Sequence, residues 1–202
     1  MNQHFYINLD ERKKRNEETK TELKKLGIVS PNRMSAVKLK VGLVGCALSH
    51  IKVIQKAKEL AWSYCIIFED DILIEDPDKL MAHITKYINF DYDVLYLGCW
   101  HAEAPGVVND DLLRVRHAWT THAYIIKAHY FDTMIENLRE GALKKMQCPE
   151  NNFYNLDEYV RVLQQKDKWY CLNPIRVTQR DGWSDNFNSN RNLSAIIKKI
   201  PQ

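Results

Sequence analysis

The chain has 202 residues and a mass of 23.8 kDa, the size of one ordinary domain or two very small ones. Its 29 Lys and Arg nearly cancel 26 Asp and Glu, and the formal charge of +3 excludes a polycationic nucleic-acid binder. With 45% hydrophobic residues it has the apolar surface to offset ordering entropy, which excludes disorder as the dominant state.

Residues 5–9 form a short apolar run that favours a strand and stops at Asp10. Residues 11–26 turn helical, with an apolar edge ending in Leu23 and Leu26 before Gly27. After a loop through Pro31, residues 45–61 place Ala47 or Leu48, Ile51, Ile54, Ala57 and Ala61 on one helical face. The continuous apolar run of residues 64–68 predicts a buried strand that leads straight into Glu69, Asp70 and Asp71. Asp76 and Pro77 start a helix to about residue 88, with Pro at its first position. Residues 93–97 are another strand, ended by Gly98. This rhythm predicts an α/β fold: a Rossmann-like, mostly parallel central sheet flanked by helices. Beyond it, strands are expected at 112–116, 122–126, 169–172 and 175–178, and helices at 130–139 and 156–165. No repeat, low-complexity stretch or Gly/Pro/Ser-rich linker intervenes, so a single domain over residues 1–202 is expected.

Five cysteines, Cys46, Cys65, Cys99, Cys148 and Cys171, are an odd number with no CxxC spacing. That argues against a disulfide framework and against a thiolate zinc site, and for a reducing, cytoplasmic compartment. The apolar stretch near Met1 is too short for a signal-peptide core, and no run approaches the roughly 18 residues of a membrane span.

The acidic triplet is the most informative chemistry. Ligands of open α/β sheets gather beyond the carboxyl ends of the strands, where Glu69, Asp70 and Asp71 stand. Three close carboxylates repel one another unless something positive neutralises them, and Mg²⁺ or Mn²⁺ does so while sharing substrate phosphates. The alternative is an acidic turn that caps backbone amides.

Around that triplet the sequence resembles glycosyltransferase family 25, which includes bacterial lipooligosaccharide galactosyltransferases and relatives of the collagen galactosyltransferases. The opening FYINLD of residues 5–10, followed by Arg12 and Arg15, is similar to the family's first block. GLVGCALSH at residues 42–50 matches its G-x-x-G-C-x-x-S-H block, and the strand ending in EDD matches the third. DVLYLG at 93–98, THAY at 121–124, DEY at 157–159 and the late Pro174, Gln179, Ser184 and Asp185 follow in family order. Two positions depart from the pattern: Leu43 stands where Glu is frequent, and Asn186 where Ile is common.

The resemblance implies a GT-A type fold, with residues 1–98 binding a nucleotide sugar and residues 99–202 on the acceptor side. It implies a UDP-sugar donor carrying galactose or else glucose, Mn²⁺ or Mg²⁺, inversion at the anomeric carbon, and a glycan or hydroxylated acceptor. Asp71, then Glu69, are the expected metal ligands; Asn8, Leu9, Asp10, Arg12, Arg15, Ser49, His50, Asp70 and Gln179 are expected on the donor. His122, Trp183 and Asp185 are acceptor-side candidates.

The residues themselves leave alternatives open. Asp157 or Glu158, opening a helix, could serve as base or merely as an N-terminal cap. Arg12 and Arg15 could reach phosphate or lie on a solvated helix face. His50 could be a satisfied structural group, and His122 could bond the sheet or face the acceptor. Trp100 and Trp119 have core packing as their default, leaving Trp183 as the stronger sugar-stacking candidate. From residue 176 onward, Arg176, Arg180, Arg191, Lys198 and Lys199 outnumber Asp181 and Asp185. That basic end could meet a diphosphate, an anionic acceptor or, peripherally, an anionic membrane. Two other classes stay open: a non-catalytic sugar-nucleotide or glycan binder, and a metal-dependent phosphoesterase.

Overall fold

The computed structural model describes residues 2–184 and 189–193. Twelve strands and six α-helices follow one another along it. β1 (His4–Asn8) leads to α1 (Lys13–Lys24), a short β2 (Arg33–Ser35) and α2 (Gly42–Glu59). β3 (Tyr64–Glu69), β4 (Ile72–Ile74), α3 (Pro77–Tyr87) and β5 (Val94–His101) complete the first half. A hairpin of β6 (Gly106–Asn109) and β7 (Leu112–Arg114) precedes the long β8 (Ala118–Lys127) and α4 (Phe131–Gln147). Two short helices, α5 (Leu156–Tyr159) and α6 (Arg161–Lys166), lead to β9 (Trp169–Leu172) and β10 (Val177–Gln179). β11 (Gly182–Ser184) and β12 (Ser189–Arg191) end the described chain.

Eight strands form one sheet in the order β2-β1-β3-β8-β5-β9-β7-β6. The α/β class and the helices on both faces are as expected, but the strand directions are more mixed. Three junctions are parallel, β1 with β2, β1 with β3, and β5 with β9; the other four are antiparallel. The reason is β8, which inserts antiparallel between β3 and β5, where a simple β-α-β crossover would have put them side by side.

Alternation along the strands divides the core. Cys65 and Ile67 of β3 face a cluster with Val44, Ile54 and Ala57 of α2 and Phe131, Met134 and Leu138 of α4. Ile66 and Phe68 face the opposite cluster, with Leu23 of α1 and Leu80 and Ile84 of α3. Such two-sided burial requires the unbroken apolar runs seen in the sequence.

Several expected boundaries shift, two of them with consequences for the site. Gly98 does not end β5: the strand continues through His101, with register shifts on either side of Gly98. A Cβ at Gly98 would overlap the carbonyl oxygen of Val177, so glycine is what lets β10 lie across this bulge. The single helix expected at 156–165 is instead α5 and α6, adjoining at Val160.

Candidate active site

β1 and β3 are parallel, so Asn8 and Glu69 reach the same edge of the sheet. The antiparallel β8 starts there, with Trp119 opposite Trp100 near the end of β5. At that edge a cleft of about 1010 Å³ opens, roofed by residues 36–40, the first turns of α2 and the segment before α5. Gly45 makes part of that roof possible, because a Cβ there would overlap the Val37 carbonyl oxygen. Ser49 pins the same loop: its hydroxyl accepts from Val37 N at 2.8 Å and donates to Gly45 O at 2.7 Å.

The three carboxylates of the triplet meet three different environments. Asp70 accepts from Asn8 Nδ2 at 2.7 Å and from Arg15 at 3.1 Å, and burial still holds its carboxyl above the usual range. Glu69 accepts from Thr121 Oγ1 at 2.9 Å and lies 3.3 Å from His50 Nε2, both through Oε1. Burial opposes its charge, but His50, His122 and Thr121 together outweigh that and its carboxyl titrates below the usual range. Asp71 has a weaker partner, the Gln179 amide, at 3.2 and 3.3 Å from its two oxygens. Burial, then Glu69 and Asp70, push its carboxyl up to about 7. The same Gln179 carries a buried Oε1 without a hydrogen-bond partner. Uncompensated negative charge, an orphaned amide oxygen and oxygen-only donors fit a hard divalent cation. Asp71 would hold it, with Glu69 beside it.

Across the cleft, the adjacent Asp157 and Glu158 are made unlike by their partners. Glu158 takes three donors: Trp119 Nε1 at 2.6 Å, His117 Nε2 at 3.1 Å and Arg161 at 3.1 Å. Against the burial that opposes its charge, these hold its carboxyl below the usual range. Asp157 is pushed above that range by burial, with backbone N–H groups, that of Thr120 among them, opposing the shift. Thr120 adopts φ +73°, a left-handed conformation rare for a β-branched residue, at the point where β8 enters the cleft.

Most of the expected residues converge. Asn8, Leu9, Arg12, Arg15, Ser49, His50, Glu69, Asp70, Asp71, Asp157, Glu158 and Gln179 all line the cleft. His50 is buried in its wall, with Nδ1 2.9 Å from the Tyr124 hydroxyl and Nε2 on Glu69. Two expectations are corrected. Asp10 lies outside the lining on the surface, bound to Arg33 at 2.5 Å and Ser35 at 2.8 Å, because it follows the strand end by two residues and turns outward. His122 is wholly buried and bonds Thr120 Oγ1 and the Val177 carbonyl, which is the structural alternative and leaves it off the cleft lining. Asp185, like Asn186, Lys198 and Lys199, lies outside the described residues, as does the side chain of Trp183.

Other lining residues are ones for which the sequence favoured a different default. Trp100 and Trp119 form an edge-to-face pair, centroids 5.0 Å apart, on the cleft wall, where core packing was their expected role. The alternation of β5 carries the signal, since Trp100 sits between two inward residues, but the bulge at Gly98 hides its phase. Of the late bases, Arg180 and Arg191 line the cleft, Arg180 also pairs with Glu22 at 2.9 Å, and Arg176 faces Asp76 at 3.8 Å. Among the described residues no helix is long and apolar enough to cross a membrane.

Comparison with solved structures shows the fold. A glycosyltransferase involved in the glycosylation of the major capsid of PBCV-1 superposes with a TM-score of 0.54 at 13% identity, over 83% of this chain and 79% of that one. A197 from STIV aligns over 100% and 99% of the two chains at 12% identity and a TM-score of 0.48. The first of these bears out the GT-A type expected from the sequence. Among curated proteins none matches significantly. The profile of glycosyltransferase family 25 (LPS biosynthesis protein) matches residues 31–149, from just before β2 through the acidic triplet to just past the end of α4, and the chain belongs to that family.

Proposed function

We propose that this protein is a metal-dependent, inverting hexosyltransferase that moves galactose, or else glucose, from a UDP-sugar to a hydroxyl of a glycan or other hydroxylated acceptor. The observation that carries the reading is Asp71, a cleft carboxylate whose charge the surrounding protein leaves uncompensated. Mn²⁺ or Mg²⁺ on Asp71 and Glu69 would supply Lewis-acid neutralisation of the leaving diphosphate.

The chain's own groups do the rest. Asn8 and Arg15 hold Asp70, which fixes the turn that presents Asp71. Arg12, Arg180 and Arg191 on the lining favour the donor phosphates. Asp157 takes the proton of the acceptor hydroxyl as its oxygen attacks the anomeric carbon from the face opposite the diphosphate. The bond from that carbon to the phosphate oxygen breaks, its electron pair leaves with UDP, and the configuration inverts. Raised by burial, Asp157 is a better base than an ordinary carboxylate. Glu158 stays ionised and orients the Trp119 indole, which with Trp100 offers aromatic faces to a sugar ring. Because Arg180 and Arg191 line the cleft, these two late bases favour the donor over a membrane surface.

The test is thermal stabilisation and donor hydrolysis with a panel of UDP-, GDP- and CMP-sugars, with Mn²⁺ or with chelator. A UDP-hexose with Mn²⁺ should stabilise the protein, and Asp71→Ala should remove the metal-dependent part. Cleavage of a phosphodiester with no response to any nucleotide sugar overturns the reading.

A further inference from the structure

Away from the cleft, the bulge in β5 has a second effect. Tyr96 of that strand packs on the α2/α4 side of the sheet, and regular alternation would turn Cys99 to the other side. The extra residue at Gly98 re-phases the strand, so Cys99, and with it His101, faces the α2/α4 side as well. There it meets Cys171, whose strand β9 pairs with β5 up to Tyr96 opposite Cys171. Cys99 Sγ lies 3.4 Å from Cys171 Sγ and 3.7 Å from His101 Nε2, and all three ligand atoms fall within 4.8 Å of one another. Bonds of about 2.3 Å to sulfur and about 2.0 Å to nitrogen around a tetrahedral zinc set edges of about 3.8 Å between sulfurs and about 3.5 Å from sulfur to nitrogen. The native triangle is already close to that size.

The satisfaction of the imidazole points the same way. His101 is 1% exposed, its Nδ1 has no partner, and the contact of its Nε2 is a thiol sulfur, a weak partner. The sulfur contact satisfies Nε2 only weakly, and a metal bond there would replace it with a strong one.

We propose that Cys99, His101 and Cys171 bind a thiophilic metal ion, with Zn²⁺ as the ion that fits, and that it fastens β5 to β9 behind the Trp100 wall of the cleft. Both thiols give up their protons to solvent on binding, His101 coordinates through Nε2, and a water completes the tetrahedron. The absence of a CxxC spacing does not weigh against such a site, because its ligands come from two adjacent strands far apart in sequence.

The test uses the full-length, reduced protein, stripped of metal and then saturated with Mg²⁺ to occupy the carboxylates. Titration with Co²⁺ should give thiolate-to-metal charge-transfer absorption saturating at one equivalent, displaced by Zn²⁺, with about two protons released per ion. Cys99→Ala and Cys171→Ala should abolish the band, while Cys46→Ser and Cys148→Ser keep it. Should the core variants fail to fold, alkylation of the wild type in mild urea decides. Zn²⁺ should then slow modification of Cys99 and Cys171 by about tenfold or more and leave Cys148 unchanged. A band that survives loss of either cysteine, no protection by Zn²⁺, or a Cys99–Cys171 disulfide in metal-free protein purified without reductant overturns the proposal.

Discussion

Asp71 is the carboxylate of the cleft whose ionisation the fold opposes most openly, and stability should register it. Burial, reinforced by Glu69 and Asp70, lifts its carboxyl to about 7, against about 3.9 in an unfolded chain. A carboxyl raised on folding binds its proton more tightly when folded. Its contribution is fully present below the unfolded value and is lost as pH rises through the folded one. Without divalent ions, Asp71→Asn should therefore be more stable than the wild type at pH 8 and no more stable at pH 4. The gain should be about 1–3 kcal/mol, from about 1.4 kcal/mol per pKa unit discounted for partial exposure. Urea denaturation at the two pH values measures it, and equal effects at both would remove the electrostatic argument. The pair on the far side of the cleft separates in the same way. Asp157→Asn should lower kcat by about 10²–10⁴-fold and abolish the acid limb of the pH–rate profile, as loss of a general base does. Glu158→Gln, which keeps an oxygen for Trp119 and His117, should leave that limb in place and cost about tenfold or less.

Elements bring these residues together, and β5 with its bulge shows how tightly. The backbone of β10 passes over Gly98 and also carries Gln179, the partner of Asp71. Gly98→Ala has no room to relax except by lifting β10, so it should destabilise the protein by about 1–3 kcal/mol, the range of overpacked cores. It should also weaken Mn²⁺-dependent stabilisation by a UDP-sugar more than it lowers the unfolding midpoint alone would explain, measured by thermal denaturation with and without both ligands. The sequence made part of this element-level picture legible. Period-two and continuous apolar runs located β1, β3 and β9, the Asp76-Pro77 start located α3, and the acidic triplet marked the edge where the cleft opens. The short strands β2, β4 and β6 carry too few residues for periodicity to register. Gly98 looked like a terminator because glycine at a strand end and glycine at a bulge are the same letter. Which of Glu69, Asp70 and Asp71 stays uncompensated was beyond the sequence, because Asn8, Arg15, His50, Thr121 and Gln179 reach them from four separate stretches of chain.

At the scale of the molecule, the order of strands couples regions that the rhythm of the sequence would have kept apart. β8 lies between β3 and β5, and the two neighbours of β5 are β8 and β9. Both come after residue 98, so within residues 1–98 alone β5 has no strand to pair with, and β3 loses one of its two partners. The helices follow suit: α2 from the first half packs with α4 from the second over one face of the sheet. An excised first half would leave the apolar faces of β3 and β5 and one flank of α2 in water, with unpaired strand edges prone to association. Unfolding of the whole chain should accordingly be one cooperative event, since neither half retains a core when the other is lost. Tryptophan fluorescence and far-ultraviolet circular dichroism should report coincident urea transitions, the first dominated by the second half, where Trp100, Trp119, Trp169 and Trp183 lie, and the second by helices from both. A fragment of residues 1–98 should bind no UDP-sugar and be unfolded or aggregated. A folded fragment, or two separated transitions, would mean that β3 and its helices form a core independent of β8 and that the cleft is assembled by docking of two preformed parts.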